Sequence, residues 1–340
     1  MSQTSREHNE AAFARLRKRT YRKASVPDLL RNWPREDVEY VAKNAGLSPE
    51  GIPDADLPEL VAAQVLSKAG MQSLLLTATD EEMQAFEKLI DGAELSPEEE
   101  KHLELFNDLG LTAVYEGGKI EVLPDAVRSF LLYCAEDPDF ALARRQCSWL
   151  GICIDMVFEL YGACPKKTLY LMYKRRFPDA DQDAFWEVYY RIPEAQRYVR
   201  IREGRLIYDT LIGQKFFEAL GFSKEPYCIP EEAEILDWTA HGYPSQRASW
   251  KKLGEALAES GAFPEQSARE EALQHLCEVL RLEDPPEHAL EALIRHTPAL
   301  AGREKTLLPL VREAAGDTRC PALRGFTPLE MQSNREHASR

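Results

Sequence analysis

The sequence predicts a mainly α-helical protein with small β-hairpins. Three observations carry that expectation. Apolar residues recur three or four apart over most of the chain, helix-start and helix-stop residues punctuate those stretches, and only two places show short alternating segments around a glycine turn. At 340 residues the chain should hold two or three domains. Its hydrophobic share of 44% suffices for ordinary packed cores and argues against disorder.

Residues 1–24 read as a basic arm. Arg15, Arg17, Lys18, Arg19, Arg22 and Lys23 dominate it, its net charge is +5, and no apolar run marks a secretory leader. Such an arm suits phosphate or an acidic protein surface. Phe13 and Leu16 are spaced for a short amphipathic helix that docks on the acidic body.

Residues 25–70 read as two short helices around an extended turn. Ser25 and Asn32 are candidate caps, Pro27 and Pro34 stand where helices start, and Leu29, Leu30, Val38, Val41 and Ala42 keep helical spacing. Gly46 is a stop, and Leu57, Leu60, Val61 and Val65 form the second apolar face. This order resembles the helix–extended–helix module at the N-terminus of transcription-termination factor Rho and in SAP domains, which implies nucleic-acid binding. The second helix in those families commonly begins with basic residues, where this chain has Asp54, Asp56 and Glu59.

Residues 71–135 form an acidic unit. A helix capped at Thr79 or Thr77 runs to Ile90, and Ser96-Pro97-Glu98-Glu99 is a strong second start with the spacing of a capping box. Thr112–Tyr115 and Lys119–Leu123 then flank Glu116-Gly117-Gly118 as a hairpin. Two helices and a hairpin make a winged-helix-like unit.

The same order returns in residues 136–224. A helix over Ile152–Tyr161 stops at Gly162, Cys164-Pro165 opens a second with Leu169, Met172 and Tyr173, and a third spans Asp181–Arg191 with Phe185, Val188 and Tyr189 inward. Val199–Arg202, Glu203-Gly204 and Arg205–Tyr208 read as strand, turn and strand. This stretch, together with the closing phrase Arg324-Gly325-Phe326-Thr327-Pro328-Leu329-Glu330, resembles uncharacterised bacterial proteins, a resemblance that implies no activity. The expected architecture is therefore tandem winged-helix-like units followed by a helical bundle over 225–316 and a C-terminal tail at 317–340.

The sequence lacks the phosphate-loop, dinucleotide, zinc-protease and serine-hydrolase signatures. Seven cysteines show no metal-ligand spacing and suit reduced thiols in the cytoplasm. The histidines are dispersed, and no cofactor or metal is expected. Ser148–Leu160 and Leu57–Leu66 are the longest apolar candidates and are too short to span a bilayer, so no membrane partner is expected. Glu98, Glu99 and Glu100 read as helix-start carboxylates rather than an acid/base site.

Formal charge totals −15, against general DNA coating, yet residues 79–128 carry −10 while 166–205 carry +4. The candidate nucleic-acid-binding set lies in that basic block. It comprises Lys166, Lys167, Lys174, Arg175 and Arg176 on the second helix, and Arg197, Arg200, Arg202 and Arg205 on or beside the wing. Against it stand Asp179, Asp181, Asp183 and Glu187 around the third helix, carboxylates that repel phosphate. Tyr161, Tyr170, Tyr173, Trp186, Tyr189 and Tyr190 could stack bases, although their helical spacing suits a core. The expectation is a non-enzymatic nucleic-acid-associated or regulatory protein with DNA or RNA as partner. The alternatives are a protein-interaction scaffold with a protein partner and an enzyme whose site carries no motif.

Overall fold

The computed structural model describes residues 24–114, 119–215, 217, 226–282 and 284–338. The basic arm with Arg15, Arg17, Lys18, Arg19, Arg22 and Lys23, and the turn Glu116-Gly117-Gly118, lie outside the described residues. The chain is mainly helical with two small antiparallel sheets. Among the described residues no helix is long and apolar enough to cross a membrane. The chain divides into two compact units, Met1–Gly151 with Asp181–Tyr198, and Ile152–Ala180 with Val199–Arg340. Residues 136–224 thus contribute to both.

In the first unit, α1 (Val26–Leu30) is started by a capping box between Ser25 and Asp28. α2 (Arg35–Asn44) follows Pro34, and the Asn32 amide donates to the Asp28 carbonyl at 2.7 Å. α3 (Leu57–Val65) buries Leu57, Val61 and Val65, one residue per turn; Leu60 lies off that stripe and is exposed. α4 (Lys68–Leu74) follows after a tight turn capped by Ser67. α5 (Asp80–Ile90) begins at the Thr79–Glu82 capping box and α6 (Pro97–Glu100) at the Ser96–Glu99 box, so the acidic run does the capping work its spacing suggested. Lys88 and the Ser96 cap hold the Glu99 carboxyl down to about 2.

α7 (Glu104–Asp108) leads into β1 (Thr112–Val114), which pairs with β2 (Ile120–Val122) so that Thr112 faces Val122. α8 (Pro124–Tyr133), the first part of α9 (Pro138–Leu160) and α11 (Gln182–Arg191) belong to the same unit, whereas α10 (Lys166–Tyr173) belongs to the other. Phe86 of α5 stacks on Phe106 of α7 at 4.2 Å between centroids, and Phe130 of α8 meets Phe86 edge-on. These rings, buried to 2% exposure or less, join three helices that sequence order alone does not bring together. Asp125 at the start of α8 accepts the Val26 N–H at 2.9 Å and ties α1 to the same core.

The second unit takes the rest of α9, β3 (Ala163–Pro165), α10, β4 (Val199–Arg202) and β5 (Arg205–Tyr208). The sheet order is β3-β5-β4, with Pro165 opposite Arg205 and Arg202 also opposite Arg205. Ala163, Ile207 and Leu211 form its buried centre against Phe158, Tyr208 and Phe217. Cys164 and Pro165 are strand residues as well as the opening of the helix, since Pro165 ends β3 and is the N-cap of α10.

The bundle follows with α12 (Glu232–His241), α13 (Ala248–Glu259), α14 (Gln266–Arg281), α15 (Pro286–His296) and α16 (Glu304–Asp317), and α17 (Pro328–Ala338) closes the chain. Arg319, only 3% exposed, links three of its segments. Its guanidinium donates to both Glu234 oxygens at 2.6 and 2.8 Å, to Glu330 at 3.1 Å and to the Gly325 carbonyl at 2.7 Å. Burial alone would raise the Glu234 carboxyl, but Arg319 and Arg247 hold it below its ordinary value. Glu330 also closes a reciprocal cap with Thr327, which gives the phrase Arg324–Glu330 a structural role.

Two outcomes test this packing. A Cβ on Gly70 would stand 1.9 Å from the Gln64 carbonyl oxygen, so Gly70→Ala should cost about 3 kcal/mol in urea unfolding; a loss near that of an ordinary exposed substitution contradicts the α3–α4 turn. Burial, reinforced by Glu104 and Asp37, pushes the Asp108 carboxyl up to about 7. A raised carboxyl makes the fold lose stability as pH climbs from the ordinary carboxylate range through about 7. Asp108→Asn should therefore stabilise the protein at pH 8 by on the order of 2 kcal/mol and change little at pH 4 in thermal melts.

Candidate anion-binding face

The geometry around the wing begins with its turn. Glu203 and Gly204 have φ of 49° and 80°, the two positive values that a two-residue type I′ hairpin requires. The turn brings the Gly204 carbonyl 3.3 Å from the Lys166 N–H. Because β3 pairs with β5 immediately before this point, the first turn of α10 lies beside the hairpin tip. Lys166, Lys167, Arg202 and Arg205 thereby gather at one end of the three-stranded sheet.

Two features of this cluster oppose stability. Lysines in the first helical turn face the positive end of the helix, a cost of ~0.3–1 kcal/mol each. The first turn of α10 carries no acidic residue, and Pro165 supplies no side-chain cap. Arg202 and Arg205 are directly opposed across the strands, where like charges repel. Glu203 in the turn offsets part of this charge through its ion pair with Arg205.

Individual cations differ in how far they are committed. Lys167 and Arg202 are exposed and have no ion-pair partner among the described residues. Arg205 pairs with the turn residue Glu203 at 2.7 Å and keeps 16% side-chain exposure, while Arg200 Nε lies 3.0 Å from Asp209. Arg200 and Arg202 share the exposed side of β4, as strand alternation implies. Lys174 sits 5.7 Å from the Tyr170 ring.

Arg175 and Arg176 do structural work at the far end of α10. Arg175 donates to the Ile229 and Pro230 carbonyls at 2.9 and 3.1 Å and pairs with Glu231 at 3.0 Å; Arg176 pairs with Glu232 at 2.9 Å. Sequence reasoning grouped them with the lysines because all are basic, but their partners are more than fifty residues away in the chain. Arg197 belongs to the first unit, where its guanidinium lies 5.2 Å from the Tyr189 ring and 5.7 Å from that of Tyr190.

The aromatic set also divides. Tyr161, Tyr173 and Tyr189 are buried, whereas Tyr190 is 64% exposed. Tyr170 donates to the Ala180 carbonyl at 3.0 Å. All seven cysteines are free, and six are buried. Among the described residues no group of three or more His, Cys, Asp or Glu side chains is placed to hold a metal ion.

No family model, curated protein or solved structure matches this chain. The reading of the face therefore rests on its residues.

Proposed function

We propose that the protein is a non-enzymatic nucleic-acid-associated factor that holds phosphate at the end of the β3-β5-β4 sheet. The observation that carries this reading is the gathering of Lys166, Lys167, Arg202 and Arg205 around the hairpin tip and the first turn of α10. Phosphate would relieve both the lysine–helix and the arginine–arginine repulsion, which gives binding an electrostatic driving force. Arg200 flanks the face, and Lys174 extends the positive side of α10. Further support comes from the element order, helix α9, strand β3, helices α10 and α11, strands β4 and β5, with β5 central, which is the order of a winged helix.

We read residues 25–70 as a Rho N-terminal-like or SAP-like module and residues 71–135 as a second winged-helix-like unit on the same grounds of element order. Free thiols suit a reducing compartment, and we place the protein in the cytoplasm. Contacts of this kind position phosphate without reading bases, so the expected binding is weakly sequence-selective.

Fluorescence anisotropy of the full chain with labelled duplex DNA, single-stranded DNA and RNA at about 50 mM salt tests the proposal. Binding should weaken steeply by about 200 mM salt. Lys167→Glu with Arg202→Glu should reduce affinity at least about tenfold while raising the melting temperature slightly, because both repulsions are removed. Absence of binding to all three at low salt would overturn the reading.

A further inference from the structure

A second surface lies on α11, in the first unit. Asp181 is committed as its N-cap, accepting the Ala184 N–H at 2.8 Å, and Phe185, Val188 and Tyr189 point into the core. The outer side of the helix carries Asp183, Trp186, Glu187 and Tyr190. These positions, three or four apart, share one face. Asp183 and Glu187 are exposed and have no ion-pair partner among the described residues. Trp186 and Tyr190 bring their ring centroids to 6.1 Å, and Tyr190 is 64% exposed.

Aromatic rings beside unpaired carboxylates match one chemistry better than others. A planar guanidinium stacks on a ring and donates to a carboxylate at the same time. The molecule already shows the first half of that contact, since Arg197 lies against the Tyr189 and Tyr190 rings at 5.2 and 5.7 Å. Arg191, exposed in the last turn, is the one cation in the sequence of α11 itself. A phosphate backbone would meet Asp183 and Glu187 with the wrong sign.

We propose that the outer face of α11 docks an arginine-rich segment of a protein partner. Trp186 and Tyr190 take guanidinium groups on their faces, and Asp183 and Glu187 pair with them. This surface belongs to the first unit, whereas the proposed phosphate-binding face belongs to the second, and it carries the opposite charge preference.

The test uses the full chain and a labelled eight-arginine peptide, with an eight-lysine peptide and oligodeoxythymidine as comparators. The arginine peptide should bind at least about fivefold more tightly than the lysine peptide, because an ammonium is more strongly hydrated and lacks the flat stacking surface. Tyr190→Ala, and separately Asp183→Asn with Glu187→Gln, should each weaken arginine-peptide binding at least about fivefold. Glu136→Gln, an exposed acidic position away from α11 in the sequence, should leave it unchanged, and circular dichroism should show each variant folded. Equal affinity for the two peptides, or indifference to the α11 substitutions, would overturn the proposal. Oligodeoxythymidine binding that is lost with Tyr190→Ala would overturn it in favour of nucleic acid, and self-association lost with Tyr190→Ala would do so in favour of a second copy of this chain.

Discussion

The guanidinium of Arg319 is the constraint on which the second unit depends. A charge buried to 3% exposure is tolerable only when its donors are satisfied, and here Glu234, Glu330 and the Gly325 carbonyl take them. Those partners come from the start of α12, the start of α17 and the loop between α16 and α17. The same loop holds residues 226–228, because Arg324 donates to the Pro226 carbonyl and accepts from the Cys228 N–H. Tyr161 adds a hydrogen bond from its hydroxyl to the Cys228 carbonyl at 2.5 Å.

From that clamp a physical path leads to the cationic face at the end of the β3-β5-β4 sheet. Residues 229–232 follow the clamped segment directly, and Arg175 and Arg176 at the end of α10 are bound to them. α10 is therefore held at its C-terminal end by ion pairs and at its N-terminal end by β3. Its first turn is left to present Lys166 and Lys167 beside the hairpin. Cations at the two ends of one short helix have different roles: those near its C-terminus find carbonyls and carboxylates, while those near its N-terminus stand against the helix dipole.

Features governed by local chemistry were legible in the sequence. The wing strands over Val199–Arg202 and Arg205–Tyr208 follow from alternation around a Glu-Gly turn, and the capping boxes at Thr79 and Ser96 follow from residue type and spacing. Nonlocal features were hidden. β3 is three residues long and ends in a proline that also starts a helix, so its pairing with β5 has no local signature. That pairing is what places the lysines beside the hairpin. Arg175, Arg176 and Arg319 look alike in composition to the exposed cations, and only partners distant in sequence distinguish them. Tyr189 and Tyr190 are adjacent in sequence, yet a rotation of about 100° around the helix buries one ring and exposes the other.

A double-mutant cycle in urea unfolding, with Arg319→Met, Glu234→Gln and both together, tests the role of the buried guanidinium most directly. Each single substitution removes the main partner of a buried charge, leaving Glu234 with Arg247 or Arg319 with Glu330, and should cost about 3 kcal/mol. The double variant should recover at least about 2 kcal/mol of the summed loss, since neither charge is then left alone. Single losses below about 1 kcal/mol, or additivity within about 0.5 kcal/mol, would contradict an organising ion cluster at Arg319.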